Sequence, residues 1–187
     1  LGKYNFAIYL GKFLGTFCIL YFGTKAIIGI TVPGGYYIDF VHQYFDYISA
    51  LRKSLLSGAQ FVLSLGGYHS NIKNAYILAF ENGRGIRLVY GCLGYGIISF
   101  WLAFVFANKG SITKKTCWMV GGFLAIWVIN VIRISLFLLA VNKGWAMPLG
   151  IDHHTWFDIA AYACLFLMIY VFDKSGKTVI NKENEVA

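Results

Sequence analysis

Arg87-Leu-Val-Tyr-Gly-Cys92-Leu-Gly-Tyr-Gly-Ile-Ile-Ser99 leaves a polar, basic segment, sets one cysteine between two glycines and opens directly into an apolar run. Read as the start of a hydrophobic helix, it places the Cys92 thiol where the helix dipole favours negative charge. It also places that thiol at a membrane surface, within reach of water and of a substrate. Whether the position serves chemistry depends on what else reaches the same surface.

The chain of 187 residues is 58% hydrophobic and only 13% charged, too little polar surface for a soluble domain of that size. A mean hydropathy of +0.64 agrees, and an integral membrane protein is the expectation. The net charge of +8 does not point to nucleic acid. Its lysines and arginines are scattered between apolar runs, as they are beside membrane spans. The four cysteines stand singly with no Cys-x-x-Cys pair, which speaks against a disulfide framework or a zinc knuckle.

Residues 4–30 are apolar apart from Lys12 and Lys25, and long enough to cross about 30 Å of hydrocarbon. The competing reading, a cleavable signal peptide, suits a shorter stretch with fewer glycines. Val32-Pro-Gly-Gly35 then breaks the helix. Between 39 and 68, Phe45, Ile48, Leu51, Leu55, Leu56, Ala59, Val62 and Leu63 recur at helical spacing, interrupted by Asp46, Arg52, Lys53, Ser57 and Gln60. This predicts an amphipathic helix lying on the membrane, because a span would have to bury Arg52 and Lys53. Residues 69–87 read as polar, with Glu81-Asn-Gly-Arg-Gly85 as a turn. Ile86, Leu88 and Tyr90 alternate with Arg87 and Val89, so a short strand is expected to lead up to Cys92. Further spans are predicted over 92–107, 116–141 and 155–172, followed by a polar tail, 173–187. The expected fold is a single all-α integral membrane domain over 1–187. It has about four transmembrane helices and an amphipathic, interfacial helix in the outer segment, 31–91, after the first span.

Lys109, Lys114 and Lys115 in the short loop fall on the same side as Lys3 and as Lys174, Lys177 and Lys182 of the tail, which makes that side cytoplasmic. Cys92 then opens the second span at its outer end. Arg133 lies roughly 12 Å below the outer end of the third. His153 and His154 stand at the outer entrance to the fourth. Cys18 and Cys164 lie inside spans, and Cys117 lies at the inner end of the third.

An arginine within a span costs about 2.5 kcal/mol or more, so function is its default reading. Asn130, one turn before Arg133, shares its face and suggests a polar site turned towards the bundle interior. The structural alternative for Arg133 is an ion pair with Asp158. His154, Asp158 and Tyr162 follow at i, i+4 and i+8 as one polar stripe, in which the carboxylate can fix the imidazole tautomer. That favours His154 over His153. Asp152-His153-His154 as a metal site lacks further ligands at useful spacing, so neither a metal nor a cofactor is expected. Together Cys92, His154 and Arg133 suit thiol acyl transfer, with the arginine on the oxyanion or on a substrate carboxylate.

Gly91-Cys92-Leu93-Gly94 opening one span, Asn130-Val-Ile-Arg133-Ile134 in the next and Asp152-His153-His154 before the last resemble the exosortase/archaeosortase family of multi-pass membrane transpeptidases. The likeness covers about the C-terminal half. It implies a Cys/Arg/His site outside the cytoplasm, in the cytoplasmic membrane of a bacterium with an outer membrane. It also implies a partner, the C-terminal sorting signal of an exported protein, and an association with surface proteins and exopolysaccharide. Two features depart from the family pattern: Leu93 stands where Ser or Asn is common, and four spans are fewer than many members have. The rival reading is a non-enzymatic membrane scaffold that binds through the aromatic-rich segment around Phe45–Leu65. A small-solute transporter is disfavoured, because the spans lack paired broken helices.

Overall fold

The structure, a computed structural model, describes the backbone over residues 2–31, 36–145 and 153–186, and side chains over 6–31, 36–145, 155–156 and 158–175. Hydropathy dictates its longest elements. Helix α1 runs over Gly2–Thr31, α5 over Ile112–Lys143 and α6 over His153–Val186. Among the described residues, Phe6–Thr31 and Ile112–Lys143 are long and apolar enough to cross a membrane. Helix α4, Tyr95–Ala107, is apolar throughout but has 13 residues, about 20 Å at about 1.5 Å per residue. The span predicted over 92–107 is therefore shorter than a hydrocarbon layer. It begins late because Tyr90–Leu93 forms a 3-10 turn and Gly94 takes a left-handed φ of 74°. The predicted polar tail after 172 is helical as far as Val186, continuing α6.

The helices alternate in direction. Phe13 and Phe17 of α1 meet Phe100 of α4, while Tyr21 stacks on Tyr95, so α1 and α4 are antiparallel. Lys114 Nζ at the start of α5 reaches the Ser175 carbonyl of α6 at 3.4 Å, whereas Arg133 meets Asp158, so α5 and α6 are antiparallel too. The basic loop and the end of α6 thus share one end of the molecule. The opposite end, which carries Thr31, Cys92 and Trp145, is called the open end below. Near the basic end, Trp101 is fully buried and gives its indole N–H to the Trp118 carbonyl at 2.9 Å. Phe172 packs edge-on against both tryptophans.

At the open end the amphipathic segment is two helices, α2 (Asp39–Phe45) and α3 (Tyr47–Leu65), split at Asp46, whose carboxylate caps α3 by accepting from Ser49 N–H at 2.9 Å. The apolar face of α3, Ile48, Leu55, Leu56, Ala59 and Leu63, is fully buried against α5 and the residues before α4 rather than presented to a lipid surface. The approach is close: a Cβ on Gly58 would lie 2.8 Å from Val131 and 3.0 Å from Trp127. The all-α expectation also needs correction. Residues read as a polar segment form strands β1 (Ser70–Lys73) and β2 (Ile77–Phe80), and the predicted strand before Cys92 is β3 (Gly85–Arg87). The sheet is antiparallel in the order β1-β2-β3. Asn74 and Ala75, both at positive φ, turn the first hairpin, and the apolar run Ile77-Leu-Ala-Phe80 supplies the central strand.

Val120, Leu124, Val128, Ile132 and Leu136 recur every four residues along α5, and all are exposed. Their unbroken stripe lies away from the buried face formed by Ile126, Asn130, Val131, Ile134 and Leu138. An exposed apolar stripe of that length is suited to hydrocarbon rather than to water.

Gly122 is where the Trp101 indole crosses α5, and a Cβ there would overlap the ring. Gly122→Ala is expected to lower stability by about 1–3 kcal/mol through overpacking. Thermal unfolding in detergent, followed by tryptophan emission, measures this.

Candidate active site

Cys92 belongs to the 3-10 turn Tyr90–Leu93, with its N–H bonded to the Val89 carbonyl at 2.9 Å. It therefore stands just outside α4 rather than in its first turn, the placement the sequence suggests. The cause is local. The Asn130 side chain, 5% exposed, donates to the Leu93 carbonyl at 3.4 Å, and a Cβ at position 94 would run into the same amide. Glycine at 94 meets two demands, the left-handed φ and the close approach of α5.

One turn beyond Asn130, Arg133 points its guanidinium at the thiol, with Nη2 3.9 Å from Cys92 Sγ. The same nitrogen lies 3.8 Å from Asp158 Oδ1 on α6. Cys92 and Arg133, 41 positions apart, are thus brought together as expected. The structural pairing of Arg133 with Asp158 is present too, as a long contact to a carboxylate that is 59% exposed. Tyr162, one turn further along α6, is exposed. The side chains of His153 and His154, with Asp152, lie outside the described residues. The α6 backbone, which begins at His153, sets His154 one turn before Asp158. Of the other thiols, Cys18 and Cys117 are exposed and Cys164 is half-buried; Cys117 lies at the basic end of α5.

A cleft of about 350 Å³ opens beside this pair. It is lined by residues 85–89, β3 and the two that follow it, by Ile134, Phe137 and Val141 of α5, and by Cys92 and Arg133. Just before this stretch, the Asn142 side chain ties Arg84 to α5. Its Oδ1 accepts from Arg84 N–H at 2.7 Å, and its Nδ2 donates to the Arg84 carbonyl at 3.0 Å. An apolar trough lined also by a thiol and a guanidinium suits a substrate held by packing and attacked at one polar point.

Arg52 is the residue whose position the sequence misassigned. Taken as a polar interruption of α3, it is instead 2% exposed on the buried face. Its guanidinium carbon lies 4.2 Å from the centre of the Tyr90 ring and 4.4 Å from that of Tyr76. Its Nε and Nη2 are buried with no hydrogen-bond partner among the described residues. The cation is held by two aromatic faces, one of them in the turn that carries Cys92. Spacing held the clue, because Arg52 follows Ile48 by four residues and precedes Leu56 by four.

Compared with protein-family models, with curated proteins and with solved structures, the chain gives no match.

Because Arg52 acts through its volume and its cation–π contacts, the two are separable by substitution. Arg52→Ala is expected to destabilise the fold by about 2–4 kcal/mol. Arg52→Met, which keeps most of the bulk and gives up the cation–π contacts together with the cost of burying the charge, should cost less than half as much. Denaturant unfolding of the two variants in detergent gives the comparison.

Proposed function

We propose that the protein is a membrane-embedded cysteine transpeptidase of exosortase-like type, seated in a bacterial cytoplasmic membrane with its open end towards the exterior. On this reading α1, α4, α5 and α6 are the four spans, and the substrate is an exported protein cut near its C-terminus. The Cys92 thiolate adds to a peptide carbonyl, and Arg133 pairs with the oxyanion that forms. The C–N bond then breaks, and His154, or His153 beside it, passes the proton taken from the thiol to the leaving amine. An acceptor amine or water attacks the thioester, the C–S bond breaks, and the thiol is restored. The observation that carries the reading is the placing of Arg133 Nη2 at 3.9 Å from Cys92 Sγ, in the lining of an apolar cleft.

The scaffold reading draws support from a different distance, 3.8 Å between Arg133 and Asp158. There the arginine is a structural partner and the thiol a bystander.

Substitution separates the two. Under the transpeptidase reading, Cys92→Ala and Arg133→Met each abolish processing of the partner protein while the variant stays folded, and Asp158→Asn has a smaller effect. If Arg133 is structural, single loss of Arg133 or Asp158 lowers stability alike, and a double apolar exchange recovers part of it. Processing retained in Cys92→Ala would sink the enzymatic proposal.

Topology is tested without a substrate, by treating intact cells with a membrane-impermeant maleimide. Cys92 should be labelled from outside and Cys117 only after permeabilisation, with the rate at Cys92 falling in Arg133→Met. The reverse pattern turns the molecule over in the membrane and removes the active site from the exterior.

A further inference from the structure

The consecutive residues 85–89, β3 and the two that follow it, line the cleft, and the hydrogen-bonding groups of this strand have a definite register. Leu88 N–H donates to the Tyr76 carbonyl at 2.8 Å. The ladder pairs Ile77 with Arg87, Leu78 with Ile86 and Ala79 with Gly85. In an antiparallel ladder, hydrogen-bonded and non-bonded pairs alternate. Ile86 and Leu88 therefore turn their backbone groups towards β2, while Gly85, Arg87 and Val89 turn theirs the other way. The sheet ends at β3, so no strand takes up these outward groups among the described residues. The Val89 carbonyl is the exception, since it already accepts from Cys92 N–H. The residues of this open edge all line the cleft that Cys92 also lines.

We propose that an extended segment of the substrate polypeptide adds to this edge as a fourth strand within the cleft, and so carries its scissile carbonyl to Cys92. The inference rests on the transpeptidase reading and specifies how that site would hold its substrate. From Gly85 to Val89 the edge is about 13 Å long, enough for four residues of strand at about 3.3 Å each. Main-chain bonds to a sheet edge give affinity, and side-chain pockets give selectivity. Here Ile134, Phe137 and Val141 offer an apolar wall, and Arg87 and Arg133 give the cleft positive charge. The fitting occupant is a strand that is apolar towards α5 and carries a carboxylate towards Arg87. The geometry also explains why Asn142 grips Arg84: its side-chain amide fixes the edge to α5 just before the free groups begin.

Val89 offers a clean probe of this edge. Its φ of −80° and ψ of 161° suit proline, so Val89→Pro removes one outward N–H and leaves the bonds to β2 in place. The reagent is acetyl-Val-Glu-Val-Ala chloromethyl ketone, applied to the full chain in detergent, which alkylates Cys92 with loss of chloride. Analogues N-methylated at one amide at a time report which of its N–H groups are used. Strand addition predicts alternation: methylation at every second residue slows capture about tenfold, and at the residues between it changes the rate less than about twofold. Val89→Pro should slow capture of the parent reagent similarly, with alkylation by iodoacetamide serving as the control for a folded site. Glutamate exchanged for glutamine in the reagent should slow capture several-fold, a difference that Arg87→Gln removes. Equal effects of methylation at all positions, or an unchanged rate in Val89→Pro, overturn the docking proposal. If that happens while processing still depends on Cys92, the docking alone falls; processing retained in Cys92→Ala brings down both.

Discussion

The close approach of Asn130 to Gly94 is the contact on which the open end depends. It sets the distance between α5 and the turn before α4 and leaves room for no side chain at position 94. With that distance fixed, Arg133 arrives one helical turn later beside Cys92, and the rest of α5 becomes the far wall of the cleft. A larger residue at 94 would push the turn away from α5 and separate thiol from guanidinium without touching either. Asn130 also satisfies the Leu93 carbonyl, which a chain leaving a 3-10 turn for a new helix would otherwise leave unpaired in an apolar setting.

Two arginines in this end are withdrawn from water by different means. Arg52 is enclosed by the faces of Tyr76 and Tyr90 and its Nε and Nη2 have no hydrogen-bond partner among the described residues, so its cost of burial is offset by ring quadrupoles and by the packing of its stem. Arg133 lies at the rim of a cleft, between a thiol and an exposed carboxylate. The first is enclosed on both faces and joins α3 to the turn bearing Cys92, a structural position. The second lines the open space of the cleft. Burial alone would rank them the other way, because Arg52 is the more buried of the two.

Much of this was legible in the sequence, and what was not has physical reasons. Hydropathy located α1 and α5, because a run of apolar residues long enough to span hydrocarbon has few other uses. Alternation at Ile86, Leu88 and Tyr90 pointed to a strand before Cys92, of which β3 takes up only Ile86 and Arg87, since it covers Gly85–Arg87 and Tyr90 already belongs to the 3-10 turn. The partners of that strand went unread because β1, Ser-Asn-Ile-Lys, and β2, Ile-Leu-Ala-Phe, alternate too weakly to declare themselves. The late start of α4 depends on Asn130, 36 positions away from Gly94, and no local pattern reports such a contact. The membrane-surface reading of α3 identified the right apolar face and the wrong cover for it: period 3.6 says which side is buried, not what buries it.

The sheet itself constrains where the site can sit. A strand edge with unpaired N–H and C=O groups is not tolerated against lipid, because each unsatisfied group costs several kcal/mol there. In a membrane the β3 edge would therefore have to meet water or a protein segment, with the cleft at or beyond the hydrocarbon boundary. The length of α5 is consistent with this. Arg133 comes 18 positions after Lys115, about 27 Å at about 1.5 Å per residue, close to the thickness of a hydrocarbon layer of about 30 Å. Were the basic loop at one surface of a membrane, the guanidinium would reach the level of the other, not the depth of roughly 12 Å expected from the sequence, and its charge would cost far less there than at the bilayer centre. A helix of 32 residues would then project its last turns beyond the layer, and those turns carry Phe137 and Val141, which line the cleft, and Asn142, which holds Arg84. The length that makes α5 able to cross a membrane would thus also carry its last turns, and the cleft beside them, clear of the hydrocarbon in which an open strand edge could not persist.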